Sequence, residues 1–168
     1  MSRSDPVLLD TNVIIEAVRT GTWAALTGGL IVETVGACRD EARAGSPSAI
    51  PGYVSVTESD LRRLSAVHDT DSTKRAELAL AYGDADGLDD GERDLLAHAL
   101  AQGAAPWSLC SPDKAAIRAA VALDFGDHLV SLEELIADVG TKPKRSLRLQ
   151  FTTDWLVRFR TRVKLDGL

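Results

Sequence analysis

Cysteine, methionine and aromatic side chains are scarce in this chain of 168 residues, which has two Cys, one Met, three Trp, three Phe and two Tyr. Two cysteines make no disulfide framework. Cys38 and Cys110 both lie in apolar stretches, where a thiol reads as a small buried side chain. No apolar run reaches the length that spans a bilayer. The opening MSRSDPVLLD has neither the basic region nor the apolar core and cleavage site of a signal peptide. The expectation is a reduced, cytoplasmic setting. Glycine-rich nucleotide loops of the GxxxxGK[ST] or GxGxxG kind are also missing. The three histidines, His68, His98 and His128, show no metal-ligand spacing.

What is present is ordinary in amount and unusual in placement. The length fits one domain with a real core, and 45% hydrophobic and 26% charged residues are typical of a globular chain. The net charge of -6 conceals a split. Residues 1–140 carry 23 Asp/Glu against 11 Lys/Arg, a balance of -12, whereas residues 141–168 carry 8 Lys/Arg against 2 Asp, a balance of +6. An acidic body with a basic tail is a polarity that needs a reason.

Short apolar runs bounded by turn residues alternate with helical patterns. The strands expected are PVLLD (6–10), GGLIVET (28–34), YVSV (53–56), PWSLCS (106–111) and HLVS (128–131). The helices expected are NVIIEAVRTG (12–21), VGACRDEARAG (35–45), TESDLRRLSAVH (57–68), DSTKRAELALAYG (71–83), ERDLLAHALAQG (92–103), PDKAAIRAAVALDFG (112–126) and LEELIADVG (132–140). SPSAIPG reads as a loop and DADGLDDGE as an acidic turn. Such alternation implies an α/β fold with a central parallel sheet of four to five strands covered on both faces.

In such a sheet, ligand chemistry collects at the carboxyl ends of the strands. Asp10 ends the first strand, and Asp113 follows PWSLCS by two residues. Glu41 lies on the helix after the second strand, and Glu92 opens a helix that simple topology starts at the opposite end. Each acid also has a structural reading. Asp10 suits an N-cap, Glu92 forms a capping box with Asp89, and Asp113 suits a helix first turn after Ser111 and Pro112. Glu41 suits a solvated face, where Asp40 is an equal candidate. The apolar approach to Asp10 from both sides is more than a cap requires.

Taken together, VLLDTNVII, the acid in RDEAR, GERDLLAHALAQG, CSPDKAAIRAA and GDHLVSLEELI resemble the PIN-domain nucleases, over roughly residues 6–138. GE…LAHALAQG is similar to a PIN subgroup with Glu at that point. The resemblance implies a three-layer α/β/α nuclease domain over 1–140 that cleaves RNA. Its catalytic acids would be Asp10, Glu41, Glu92 and Asp113, with Asp10, Glu92 and Asp113 holding Mg²⁺ or Mn²⁺ and Asn12 and Ser111 as polar helpers. Many members are VapC-type toxins, which implies an antitoxin protein as partner.

The chemistry is coherent on its own terms. Crowded carboxylates repel one another unless a cation neutralises them, and hard divalent ions take oxygen ligands while keeping waters. Cations for RNA phosphates are available at Lys114 and Arg118, four apart on one helix face, and at Arg158, Arg160 and Arg162. In the 141–168 tail, Phe151, Trp155 and Phe159 repeat every four residues. That stripe is expected to dock on the domain or on a second copy of the chain, as a helix or as a strand at SLRLQFT followed by a helix. Two other readings stand beside the nuclease. One is a PIN-like RNA-binding or regulatory module without catalysis. The other is a haloacid-dehalogenase-like phosphohydrolase, which wants Asp where this chain has Asn12.

Overall fold

The computed structural model describes residues 5–44 and 54–166. Its centre is an all-parallel sheet of four strands, β1 (Pro6–Leu9), β2 (Ile31–Val35), β3 (Ala66–His68) and β4 (Ser108–Cys110), in the order β3-β2-β1-β4. Val7 pairs with Val32 on one side and Ser108 on the other, and Glu33 pairs with Ala66. A parallel strand covered on both faces must be apolar throughout, and Val7, Leu8 and Leu9 are all buried. Their side chains alternate between two cores. Leu8 joins Val35, Leu95, Leu109 and Ile117 on one face, while Val7 and Leu9 join Ile14, Val32, Leu132 and Leu135 on the other.

The helices are α1 (Thr11–Thr20), α2 (Trp23–Gly29), α3 (Gly36–Ala44), α4 (Glu58–Leu61), α5 (Ser72–Ala81), α6 (Asp90–Ala101), α7 (Lys114–Ala122), α8 (Leu132–Asp138) and α9 (Thr153–Asp166). Gly21 ends α1 at φ 72°, where its N–H reaches the carbonyls of Ala17 and Val18. A side chain is strained in that left-handed position. No helix among the described residues is long and apolar enough to cross a membrane.

Several expected elements differ. Tyr53 and the SPSAIPG loop lie outside the described residues, and Val54–Val56 is not a strand, although Val56 is buried. The helix expected over 57–68 stops after one turn. Thr57 caps α4 through a reciprocal pair of bonds with Asp60, and the chain then turns so that Ser65 N donates to Val32 O at 2.7 Å. Ala66–His68 thereby takes the place beside β2 that the apolar pattern assigned to a helix. HLVS contributes a single bridge, Leu129 to Leu109, because Ser131 caps α8 immediately afterwards. SLRLQFT forms no strand; its Leu149–Phe151 stretch is a short 3-10 helix. GGLIVET enters its strand only at Ile31, since Gly28 and Gly29 close α2.

The tail is held by a residue that the patterning did not single out. Glu16, in the apolar run VIIEAV, is fully buried. Arg19 donates to both of its oxygens at 2.7 and 2.6 Å, and Arg148 N donates to Oε1 at 2.9 Å. Lys144 N donates to Thr20 O at 2.8 Å, and Arg19 also reaches Ser146 O. Beyond this anchor, Leu147 and Phe151 pack on one core, and Leu156, Phe159 and Val163 enter the other. Burial alone would raise the pKa of Glu16, but the Arg19 and Arg148 bonds outweigh it and hold the carboxyl below its ordinary value.

Glu16→Ala strips this anchor and should cost about 3–5 kcal/mol, the usual loss when one partner of a buried pair is removed. Because the folded pKa is depressed, the contribution is present above the unfolded value of 4.5 and fades as pH falls below it. Denaturant unfolding of wild type and variant at neutral and acid pH measures both. The gap between the two proteins should narrow in acid.

Candidate active site

Asp10 follows β1 directly, and its backbone N donates to Cys110 O at 3.1 Å, which extends the β1–β4 pairing. Its side chain is 4% exposed. One carboxylate oxygen accepts from Ser111 Oγ at 2.6 Å, and the other lies 3.4 Å from Asn12 N. Asp10 is thus the N-cap of α1 as well as a buried acid, so the two readings of this residue are not exclusive. Ser111 joins the two strand ends, because its Oγ also accepts from Asp113 N at 3.1 Å. Asp113 is itself the N-cap of α7, accepting from Ala115 N at 2.7 Å, and does not sit in the first turn behind a Ser111 cap.

Glu41 reaches the same region through α3. Thr11 Oγ1 donates to its Oε2 at 2.8 Å, and a Cβ added at Gly91 would stand 3.0 Å from that oxygen. Glycine at 91 therefore lets α6 approach the Glu41 carboxylate closely. Asp40 is turned away and pairs with Arg39 at 2.8 Å. Glu92, next to Gly91, is 5% exposed. The simple expectation put the start of its helix at the far end of the sheet. Instead, α5 and the acidic turn carry the chain back, so α6 begins beside Asp10 and Asp113.

The capping box forms, and it uses half of Glu92. Glu92 N donates to Asp89 Oδ1 at 2.7 Å, and Asp89 N donates to Glu92 Oε2 at 3.2 Å. Glu92 Oε1 is buried with no donor, and the Glu92 carboxyl meets that of Asp113. Two carboxylates can bond directly only by sharing a proton. Burial first, and Asp113 second, push the Glu92 carboxyl up to about 8. Burial also pushes Asp10 up to about 6, against the bonds from Ser111 and Asn12, with Asp89 and Asp113 adding repulsion. The nearby thiol of Cys38 is pushed up to about 12, chiefly by burial, so it stays protonated and is no nucleophile.

No known protein family, curated protein or solved structure matches the chain. The site is therefore weighed on its own chemistry. Asp10, Glu41, Glu92 and Asp113 meet from four separate segments. Among the described residues, no three of these acids bring ligand atoms within 4.8 Å of one another; the set that does is Glu33, His68 and His98. A buried oxygen without a donor and two carboxyls raised chiefly by burial, with neighbouring acids adding to it, are what a hard divalent cation would relieve, so the all-oxygen donor set fits Mg²⁺ or Mn²⁺.

Thr11 and Gly91 were not singled out from the sequence, and Asp89 only as the cap of Glu92. The only available signals were their places inside DTN and DDGE. Of the proposed helpers, Ser111 bonds two of the acids, whereas Asn12 is exposed and touches Asp10 only through its backbone. The cations divide in the same way. Arg160 donates to Gly126 O at 2.7 Å, and Arg158 pairs with Asp154 at 2.9 Å on the surface. Lys114 and Arg118 lie over the Phe159 ring, 5.9 and 5.4 Å from its centre.

In metal-free protein the folded state keeps the Glu92 proton up to about pH 8, whereas the unfolded chain loses it near 4.5. Stability should therefore fall as pH rises through this range. Asp10 acts in the same sense below about 6. His98 opposes it below 6.5, because burial and His68 lower its pKa to about 4. Of these three groups only Glu92 titrates between pH 6.5 and 8. Melting in EDTA should show a decline there, at most about 1.4 kcal/mol per pH unit. Glu92→Gln should flatten the decline, and Mn²⁺ should reverse it.

Proposed function

We propose that the chain is a metal-dependent endoribonuclease of PIN type, hydrolysing RNA phosphodiester bonds at the acid group on the strand ends. The observation that carries this reading is the Glu92 carboxyl, buried with Oε1 lacking a donor and facing Asp113, which also acts on the buried Asp10. The four-stranded parallel sheet is consistent with a PIN domain and does not identify one. Asp10, Glu92 and Asp113 would hold Mg²⁺ or Mn²⁺, and Glu41 completes the acid group. When bound, the cation supplies Lewis-acid polarisation and a water of lowered pKa.

The rest is positioning by the chain itself. Ser111 fixes the Asp10 carboxylate by donating to it and holds Asp113 by accepting its N–H. Thr11 orients Glu41. Glu41, exposed, and Asp113, half-buried, are the acids that a phosphodiester would reach from solvent, while Asp10 and Glu92 are buried. Next to Asp113, a groove lined by Lys114, Arg158, Arg162, Asp154 and the Trp155 ring, which stacks on the buried Phe159, offers cations and an aromatic surface. Both attract single-stranded nucleic acid, the cations by charge and the ring by base stacking. Resemblance to VapC-type toxins extends the proposal to an antitoxin partner, and the two buried, unpaired cysteines extend it to a reduced, cytoplasmic setting.

Asp10→Asn should abolish Mn²⁺-dependent cleavage of single-stranded RNA while circular dichroism and melting stay close to wild type. Full activity in the folded variant would sink the proposal. Glu92→Gln retains an oxygen for Asp89 N, so it should weaken Mn²⁺ binding in a calorimetric titration at a stability cost of no more than about 1 kcal/mol.

The cations give a second test. Changing Arg158 and Arg162 to Gln should lower the slope of log binding against log salt by about 0.7 for each RNA phosphate that is no longer neutralised. Arg160→Gln should instead lower the melting temperature, since it removes the bond to Gly126 O. An unchanged slope in the double variant rejects the groove as the RNA-binding surface.

A further inference from the structure

We propose that Glu33, His68 and His98 form a second cation site, one that takes a zinc-type transition metal and joins β2, β3 and α6. One ligand atom from each of the three residues lies within 4.8 Å of the others. Their separation in sequence hid the group, and parallel pairing of β2 with β3 creates it. Glu33 and His68 extend from adjacent strands, and His68 Nε2 stands 2.7 Å from Glu33 Oε2. The His98 ring stacks on that of His68, with centres 4.0 Å apart and planes at 17°.

The second observation concerns His98 alone. It is 7% exposed, and its Nδ1 is buried with no hydrogen-bond partner, while Nε2 lies 2.8 Å from Gln102 Nε2. A buried imidazole nitrogen with nothing to bond is costly to leave so. With its amide turned so that Oε1 faces the ring, Gln102 would accept from His98 Nε2–H and leave Nδ1 free for a metal, as outer-shell partners of metal-bound histidines do. Lys74 is the cation that faces His98, and its Nζ is turned to Asp69 O at 3.4 Å. Glu33 and His68 keep 15% and 29% of their side chains exposed, so an ion has a way in and the site a face open to water.

Two imidazoles and one carboxylate are a borderline donor set, which suits Zn²⁺ or Co²⁺ better than Mg²⁺. The acid group on the strand ends is all oxygen and has the opposite preference. His98 lies six residues along α6 from Glu92, about 9 Å down the helix axis. An ion here would therefore brace the helix that carries Glu92 without entering the acid group.

The test uses full-length protein stripped with EDTA, with Asp10→Asn and Asp113→Asn in the background to silence the acid group. Titration with Co²⁺ should give a visible d–d band saturating at one equivalent, and Zn²⁺ should displace the Co²⁺ and raise the melting temperature. His68→Gln and Glu33→Gln, on partly exposed positions, should each weaken Zn²⁺ binding by more than the roughly 10- to 100-fold that loss of an outer-shell partner costs. His98→Gln should do the same. If that buried change prevents folding, the other two variants carry the test alone. Mg²⁺ should compete with neither ion. Absence of a Co²⁺ band in the folded background protein, or titrations unchanged by the ligand variants, would overturn the proposal. Because the background already lacks two of the strand-end acids, failure of the nuclease reading leaves this result unaffected.

Discussion

A buried carboxylate has to be met by a cation, by donors or by a proton, and this chain solves the problem twice in different ways. Glu16 is buried against Arg19 and the backbone of Arg148, and its charge is fully answered within the protein. Asp10 and Glu92 are just as buried and have no arginine. Asp10 has one hydroxyl and one long backbone bond, and Glu92 has a single backbone donor and an empty oxygen. The first arrangement closes a structural joint. The second leaves Asp10 short of donors and Glu92 holding a proton up to about pH 8, at the sheet end where open α/β sheets bind ligands. Burying these acids without a counter-charge costs stability.

Helix α6 ties the molecule's chemistry together. Its first turn brings Gly91 against Glu41 and Glu92 against Asp113. One turn on, Asp94 takes both bonds from Arg75 at 2.6 and 2.8 Å, which fastens α5 to α6. A further turn on, His98 stacks over His68 at the sheet edge. Displacing α6 would disturb all three at once. The capping box at its start engages half of Glu92: Oε2 accepts from Asp89 N, and Oε1 is left without a donor.

The charge split between body and tail also has a physical account. Part of the tail's positive charge is consumed in docking. Arg148 meets Glu16, Lys164 lies 3.6 Å from Asp127, and Arg160 binds the Gly126 carbonyl. Of the other five, Arg162 and Arg158, the latter paired with Asp154, line a groove with Lys114 from the helix that Asp113 caps. The tail thus offsets the acidic body where it packs and presents its surplus near the acid group. An RNA-binding role for that surplus belongs to the proposed function.

Local pattern alone was enough for the long elements. An apolar run ending in Asp10 reads as a buried strand because a covered parallel strand has no polar face, and α1, α5, α6 and α8 announce themselves by periodicity and by Asp or Ser at their starts. It was not enough for β3, since three residues paired to one neighbour leave almost no pattern, and a capped turn before them imitates a longer helix. The candidate acids were visible as motif residues, but their meeting was not. Glu92 arrives at Asp10 only because α5 reverses the chain, and Glu41 rather than Asp40 faces inward only because Thr11 and Gly91 receive it. Glu33, His68 and His98 carry no shared spacing at all. Sequence determines which segments are apolar, which are capped and where charge is placed. Proximity between residues 33, 68 and 98, or between 10, 41, 92 and 113, is decided by strand order and helix direction, which are properties of the packed chain and not of any local stretch.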